Sequence, residues 1–294
     1  MSLQYGLARN QIDDLALAGR AWTGVGVRGD HVHYTTIQVT DAAGIRTITL
    51  CRPERRNALT PKMRSELITA LDDTISAGVG ALVLTGAGDA FCSGLDLSEL
   101  QSMHDRTAAE HRADAEGISH LFRTLYELPL PTIAAVRGAA IAGGAGLAMI
   151  CDFTLATPAA LFGFTEARIG FVPALVSAFL ALQLGDKRTR DLLLTARTLN
   201  ADEAHALGLV SEIVPQERLE LRVQELTRSL LANSRQSLSS IKKLMAAQNK
   251  AWLDTSIALA MDANAQARET EDFREGVAAF LQKRKPRWAR ADER

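Results

Sequence analysis

Two stretches of this sequence place glycines where a backbone can do chemistry. The first runs Leu84-Thr85-Gly86-Ala87-Gly88-Asp89-Ala90-Phe91-Cys92-Ser93-Gly94-Leu95-Asp96-Leu97, and the second Gly138-Ala139-Ala140-Ile141-Ala142-Gly143-Gly144-Ala145-Gly146-Leu147. Each reads as a strand, then a glycine-bearing turn, then a helix. A helix N-terminus offers N–H groups without intrahelical acceptors and the positive end of the dipole, which suits a developing negative charge. Glycines such as Gly143 and Gly144 let a ligand approach the backbone. A tightly packed strand–helix turn would need the same residues, so either stretch alone leaves both readings open.

Other motifs fail their context. Gly24, Gly26 and Gly29 form a literal GxGxxG. They follow a helix-like stretch and precede a strand, the reverse of a dinucleotide-binding turn. There is no GxSxG nucleophile elbow. His31 and His33 alternate on an expected strand, and His104 and His111 lie two helical turns apart. Neither pair has a further ligand at metal spacing, so no metal site is expected.

The elements that would position these glycines follow from periodicity. Residues 1–30 read as an N-terminal arm. His33–Val39 and Ile45–Leu50 alternate as strands around the turn Asp41-Ala42-Ala43-Gly44. Thr60 is a suitable N-cap with Pro61 in the first turn, and Met63, Leu67, Leu71 and Ile75 make an apolar stripe. Ala81–Thr85, Thr132–Val136 and Phe153–Ala156 are short buried strands. A long helix is expected from Ser98, where Ser98 and Gln101 have capping-box spacing. From Pro173 the chain reads as helix, with a stripe at Leu219, Val223, Leu226 and Leu230, broken at Leu209–Val214. Strands alternating with helices indicate a layered α/β fold with its site on the loops at strand ends.

The 294 residues carry a net charge of -1, with 47% hydrophobic and 23% charged residues. That balance fits a soluble protein with a sizeable core and argues against bulk electrostatic binding of nucleic acid. The segment from Lys283 to Arg294 is locally basic, as solvated surface or as a contact for a phosphate. Cys51, Cys92 and Cys151 are too far apart for a disulfide framework or zinc site and read as reduced thiols of a cytoplasmic protein. No apolar run approaches the ~18 residues of a membrane span, and the N-terminus does not read as a secretory signal.

Four motifs in order carry a family resemblance: Arg52-Pro53-Glu54-Arg55-Arg56-Asn57-Ala58-Leu59, Phe91 to Leu97, Gly138 to Asp152, and Phe162-Gly163-Phe164-Thr165-Glu166-Ala167-Arg168-Ile169-Gly170. Leu199–Val210 and Glu275–Arg284 extend it. Residues from about 33 to 288 resemble the crotonase (enoyl-CoA hydratase/isomerase) family. The resemblance implies an α/β spiral of repeated ββα units over 31–215 and a C-terminal helical trimerisation region over 216–294. It implies a homotrimer or dimer of trimers, and an acyl-CoA thioester substrate with no cofactor beyond the coenzyme A it carries. It places a backbone oxyanion hole at Leu95 and Gly143, with Gly144 beside it. Arg56, Ala58, Ser93, Asp96 and Leu97 match the coenzyme A groove, and Phe280 and Lys283 match a C-terminal contact to its nucleotide, often from a neighbouring subunit.

The acid–base positions depart from the hydratase pattern. Of two glutamates expected, the first falls on Gly146 and the second on Glu166. Glu166 to Ser177 resembles bacterial methylglutaconyl-type enoyl-CoA hydratases, which also lack the first. The expected activity is enoyl-CoA hydration with Glu166 as the proton-transfer group. Double-bond isomerisation and a non-catalytic acyl-CoA-binding role are the alternatives. Asp114 and Glu116, on the long helix, are the acids that could fill the space left at Gly146.

Overall fold

The computed structural model describes residues 33–96, 99, 102–103 and 106–289. The arm, the GxGxxG, His31, Leu97, Ser98, Gln101 and His104 lie outside the described residues. Strands β1 (Ile37–Ala42) and β2 (Ile45–Leu50) form an antiparallel hairpin whose two-residue turn puts Ala43 and Gly44 at positive φ. Helix α1 (Pro61–Ser76) follows, with the Thr60 side chain accepting from the Met63 N–H as the sequence predicts. Met63, Leu67 and Leu71 are buried, whereas Ile75 at the end of the stripe is exposed.

The chain then winds as a spiral that adds one strand per turn to each of two sheets. Strands β3 (Ala81–Gly86), β5 (Thr132–Val136) and β7 (Phe153–Ala156) join β2 in parallel, giving the order β1-β2-β3-β5-β7-β10 with β10 at Glu212–Ile213. The second sheet has the order β4-β6-β8-β9, from Ala90–Cys92, Ala139–Ile141, Leu161–Gly163 and Thr198–Asn200. Helices α2 (Ala108–Glu127) and α3 (Gly143–Ile150) complete the first turns. Then come α4 (Ala174–Thr195), α5 (Ala201–Leu207), α6 (Leu219–Leu231), α7 (Arg235–Ala267) and α8 (Glu271–Leu281). Helix α7 lies across α2 and α4. Helix α8 folds back onto the turn Glu166–Ile169, so closely that a Cβ on Gly276 would stand 2.2 Å from the Ile169 carbonyl oxygen.

One boundary differs from expectation for an identifiable reason. The first strand begins at Ile37 rather than His33, because the Thr35 and Thr36 N–H groups donate to the Glu66 carboxylate at 3.0 and 2.8 Å instead of to a neighbouring strand. Helix α2 begins at Ala108 under a capping box in which the Glu110 N–H donates to Thr107 Oγ1 (3.3 Å) and the Thr107 N–H to Glu110 Oε2 (2.7 Å). The second sheet escapes a periodicity argument because β4, β6, β8 and β9 have three residues each. So short a strand has no alternation to read.

Candidate active site

A cavity of about 670 Å³ opens where the spiral meets the C-terminal helices. Its wall takes Arg56 and Ala58 from the loop before α1, Ser93, Leu95 and Asp96 from the loop after β4, and Gly143 from the start of α3. Glu166 from the turn after β8 and Phe280 from α8 complete it. These residues, spread over more than 200 positions, are brought together as the sequence motifs imply. Phe280 lines the cavity of its own chain, where the resemblance had left open a neighbour's. Gly144 is not on the wall. It packs against the preceding turn, where a Cβ would lie 2.3 Å from the Cys92 carbonyl oxygen. Lys283 is exposed just past α8 and is likewise not on the wall.

Leu95 and Gly143, both on the cavity wall, have backbone N–H groups turned away from their neighbouring strand or helix partners. Leu59 bridges Leu95 in parallel, its N–H donating to the Gly94 carbonyl (2.7 Å) and its carbonyl accepting from the Asp96 N–H (3.1 Å). In such a bridge the opposed residue's own N–H points to the other edge, so the Leu95 N–H faces away from Leu59. Gly143 is the first residue of α3, and its N–H has no intrahelical acceptor. Ala142 before it is held at φ 52°, ψ -123° and donates to the Gly163 carbonyl at 2.7 Å. A non-glycine residue there stores on the order of 1–3 kcal/mol of backbone strain. The two donors are neighbours because their predecessors touch: a Cβ on Gly94 would lie 2.9 Å from that of Ala142.

Glu166 faces the same space. Its carboxyl is buried and Oε2 has no hydrogen-bond partner among the described residues. Burial pushes the group from 4.5 up to about 7, against a smaller lowering by its own backbone N–H. The position where a second glutamate would stand is filled. A Cβ on Gly146 would lie 2.8 Å from both Phe122 Cζ and Val176 Cγ1. Phe122 is itself fixed edge-on against Phe179, with ring centroids 6.1 Å apart. The acids of α2 do not compensate. Glu116 is exposed and pairs with Arg112 at 3.3 Å. Asp114 does line the cavity but sits between Arg64 (2.6 Å) and Arg268 (2.7 Å). Burial would raise it, yet the two guanidinium groups outweigh that and hold it below the usual carboxylate range.

Asp96 is also committed, accepting from Arg52 Nη1 at 2.8 Å, and Arg52 in turn reaches the Ala58 carbonyl at 2.7 Å. That brace shapes the loop carrying Arg56. Among the described residues no three or more His, Cys, Asp or Glu side chains are grouped to hold a metal, and no helix is long and apolar enough to cross a membrane. Sequence reasoning did not find Phe122, Val176, Arg64, Asn264 or Arg268 on the wall. The only local signal was Gly117 within α2, where a Cβ would lie 2.8 Å from Arg64 Nε.

The sequence model of the enoyl-CoA hydratase/isomerase family matches residues 40–291. The chain belongs to the enoyl-CoA hydratase/isomerase (crotonase) family. It is 43% identical over 245 residues to a Thermus thermophilus protein provisionally named an enoyl-CoA hydratase, covering 83% of this chain and 97% of that one. It is 34% identical over 252 residues to the 1,2-epoxyphenylacetyl-CoA isomerase of Escherichia coli, covering 83% and 95%. Among solved structures, an enoyl-CoA hydratase from Mycobacterium avium superposes with a TM-score of 0.77 at 31% identity, covering 86% of this chain and 98% of that one. The crotonase spiral with its C-terminal helices is thereby established, as is membership in a family of enzymes.

Proposed function

We infer that this enzyme relocates a proton on an unsaturated acyl-CoA thioester, with Glu166 as the single acid–base group. The observation that carries this reading is the filled space beside Gly146. Hydration needs a water held for attack, and an ordered water wants two to four polar partners. Where a second carboxylate would hold it, beside Gly146, Phe122 and Val176 fill the space, and Leu121 and Ile118 add apolar lining to the cavity. Double-bond migration needs only one base. The Glu166 carboxylate takes a proton from C2 of a 3-enoyl thioester, and the electron pair moves onto the thioester oxygen. The Leu95 and Gly143 N–H groups receive that charge, each such donor contributing about 3–4 kcal/mol. The dienolate then takes the same proton back at C4, leaving the 2-enoyl thioester. A carboxyl near 7 is matched to both halves, since it gives and takes protons with little bias at neutral pH.

Enoyl-CoA hydration is the second reading, favoured by the names of the Thermus and Mycobacterium relatives. In it Glu166 takes a proton from water as oxygen adds at C3 and returns it at C2. Arg56, Ala58, Ser93 and Phe280 are assigned to the coenzyme A end of the cavity. We also assign the exposed Ile241, Leu244 and Met245 of α7 to contacts between subunits of a trimer.

Product analysis in deuterated water tests the reaction. With 3-hexenoyl-CoA the expected product is 2-hexenoyl-CoA without added water, at a rate well above any conversion of crotonyl-CoA. A 3-hydroxyacyl product formed from crotonyl-CoA at a comparable or greater rate would establish hydration instead. Binding of both thioesters with no turnover of either would leave a binding protein.

A further inference from the structure

The Glu166 carboxyl takes its position from its backbone. Its Oε2 has no hydrogen-bond partner among the described residues, and the hydrogen bond the group does accept comes from its own N–H. The turn that carries it is stiff. The Arg168 N–H donates to the Thr165 carbonyl (3.0 Å), the Gly170 N–H to the Ala167 carbonyl (3.2 Å) and the Phe171 N–H to the Glu166 carbonyl (3.0 Å). A shift imposed at Ile169 or Gly170 is therefore carried to Glu166.

Those two residues rest on α8, main chain against main chain, from both sides. A Cβ on Gly276 would stand 2.2 Å from the Ile169 carbonyl oxygen, and one on Gly170 would stand 2.4 Å from that of Asp272. Gly170 also has a positive φ of 67°, which calls for glycine on its own. Gly276 has no such need: it lies inside α8, where alanine is the better helix former. Close approach to the turn is what glycine permits there. Phe273 packs alongside, its ring centre 5.1 Å from that of Phe171, and Arg268 lies 5.5 Å from the same ring. Gly276 and Ala279 also line the cavity with Glu166, so α8 is part of the wall as well as the seat. The charged groups of the packed elements are engaged elsewhere or face outward. Arg64 and Arg268 share Asp114, Glu275 holds Arg284 at 2.6 Å, and Arg168, Glu271, Asp272 and Arg274 are exposed. Helix α4, which follows the turn, has no charged residue before Asp186.

We propose that Gly276 is a positioning residue: by letting α8 sit directly on the Glu166–Ile169 turn, it fixes where the Glu166 carboxyl stands and keeps it enclosed. Any side chain at 276 must part the helix from the turn, because the atoms it meets are main chain and cannot swing aside. Even alanine requires a separation of about 1 Å, and a misplacement of that size away from the chemistry can cost on the order of 100-fold in rate. For its effect on rate the proposal rests on Glu166 as the proton-transfer group; for the enclosure it does not.

The test is a cycle in the full chain: wild type, Gly276→Ala, Glu166→Gln and the double variant. Urea unfolding in acid and in mild alkali reads the enclosure without any turnover. The comparison of glutamate with glutamine at 166 isolates the buried carboxyl. In the Gly276→Ala background that comparison should depend less on pH, because an opened carboxyl is hydrated and titrates nearer 4.5 in the folded chain. Turnover of 3-hexenoyl-CoA by Gly276→Ala should fall on the order of 100-fold, and the pH midpoint of its kcat/KM should move down from about 7 toward 4.5. Phe273→Leu loosens the same seat without forcing the backbones apart and should shift both readouts the same way, by less. Leu67→Ala, in the core and not on the cavity wall, is the structural control: it should lower Tm and leave the midpoint in place. If Gly276→Ala, or Phe273→Leu where the first does not fold, keeps the wild-type pH dependence of stability and the wild-type midpoint, the positioning role is overturned and that of Glu166 stands. Near-normal turnover of Glu166→Gln would instead remove Glu166 as the proton carrier, and the unfolding cycle would decide the seating by itself.

Discussion

Replacing Glu166 with glutamine should separate stability from catalysis in a pH-dependent way. The wild-type carboxyl titrates at about 7 in the folded chain and near 4.5 when exposed. Below pH 4.5 it is protonated in both states and costs folding nothing by ionising. As pH rises through 7 the folded protein must bury the charge that the unfolded chain hydrates freely. The stability present at low pH is therefore lost between about 4.5 and 7. At about 1.4 kcal/mol per pH unit the loss comes to about 3 kcal/mol. Glutamine keeps the shape and has no such transition. Any constant cost of its buried amide is the same at both ends of the range. Urea unfolding of wild type and Glu166→Gln at pH 4.5 and pH 8 should show the variant gaining about 3 kcal/mol relative to wild type at the higher pH. Its turnover of 3-hexenoyl-CoA should meanwhile fall at least ~100-fold. In the wild type, kcat/KM should rise with pH to a plateau above about 7, as the carboxylate form of the base accumulates. A stability difference that does not change with pH would refute the burial argument. Turnover within a few-fold of wild type would refute the assignment of Glu166 as the proton carrier.

Three further outcomes follow from the same geometry. Gly146→Glu cannot restore a two-carboxylate site, because Phe122 and Val176 occupy the space; it should lower stability by about 1–3 kcal/mol without raising crotonyl-CoA hydration, and Phe122→Ala in the same chain should recover part of the thermal stability. Gly143→Pro removes one N–H at the first helical position, where proline fits the helix, so circular dichroism should show a folded protein while turnover drops about 100- to 1000-fold. Ile241→Glu with Leu244→Glu should shift sedimentation toward monomer if α7 forms the subunit contact, and an unchanged sedimentation coefficient would place that contact elsewhere.

The elements nearest the site were legible locally. Thr60 and Pro61 announce α1, and Ile45–Leu50 and Thr132–Val136 are strands at their expected residues, because caps and β-branched runs act on near neighbours. The motifs also pointed to Leu95, Gly143 and Glu166, all of which stand on one cavity wall. Chain geometry alone accounts for the Gly143 donor, since a first helical N–H has no acceptor wherever the helix is placed, whereas the Leu95 N–H is oriented by its bridge to Leu59.

What the local sequence left open depends on residues far apart in the chain. Glu66 draws the N–H groups of Thr35 and Thr36 away from β1 across about 30 positions, which no strand pattern can register. The glycine at 146 shows only that a carboxylate is missing; that nothing can replace it is decided by Phe122 and Val176 arriving from α2 and α4. Glu166 is an ordinary acid in the sequence, and only its enclosure by the folded chain moves it to about 7. The charge cluster on the cavity wall is likewise a tertiary property. Arg64, Asp114 and Arg268 are unremarkable surface-type residues in three separate helical runs until packing takes them out of water together, and burial is what makes their unequal count of charges matter.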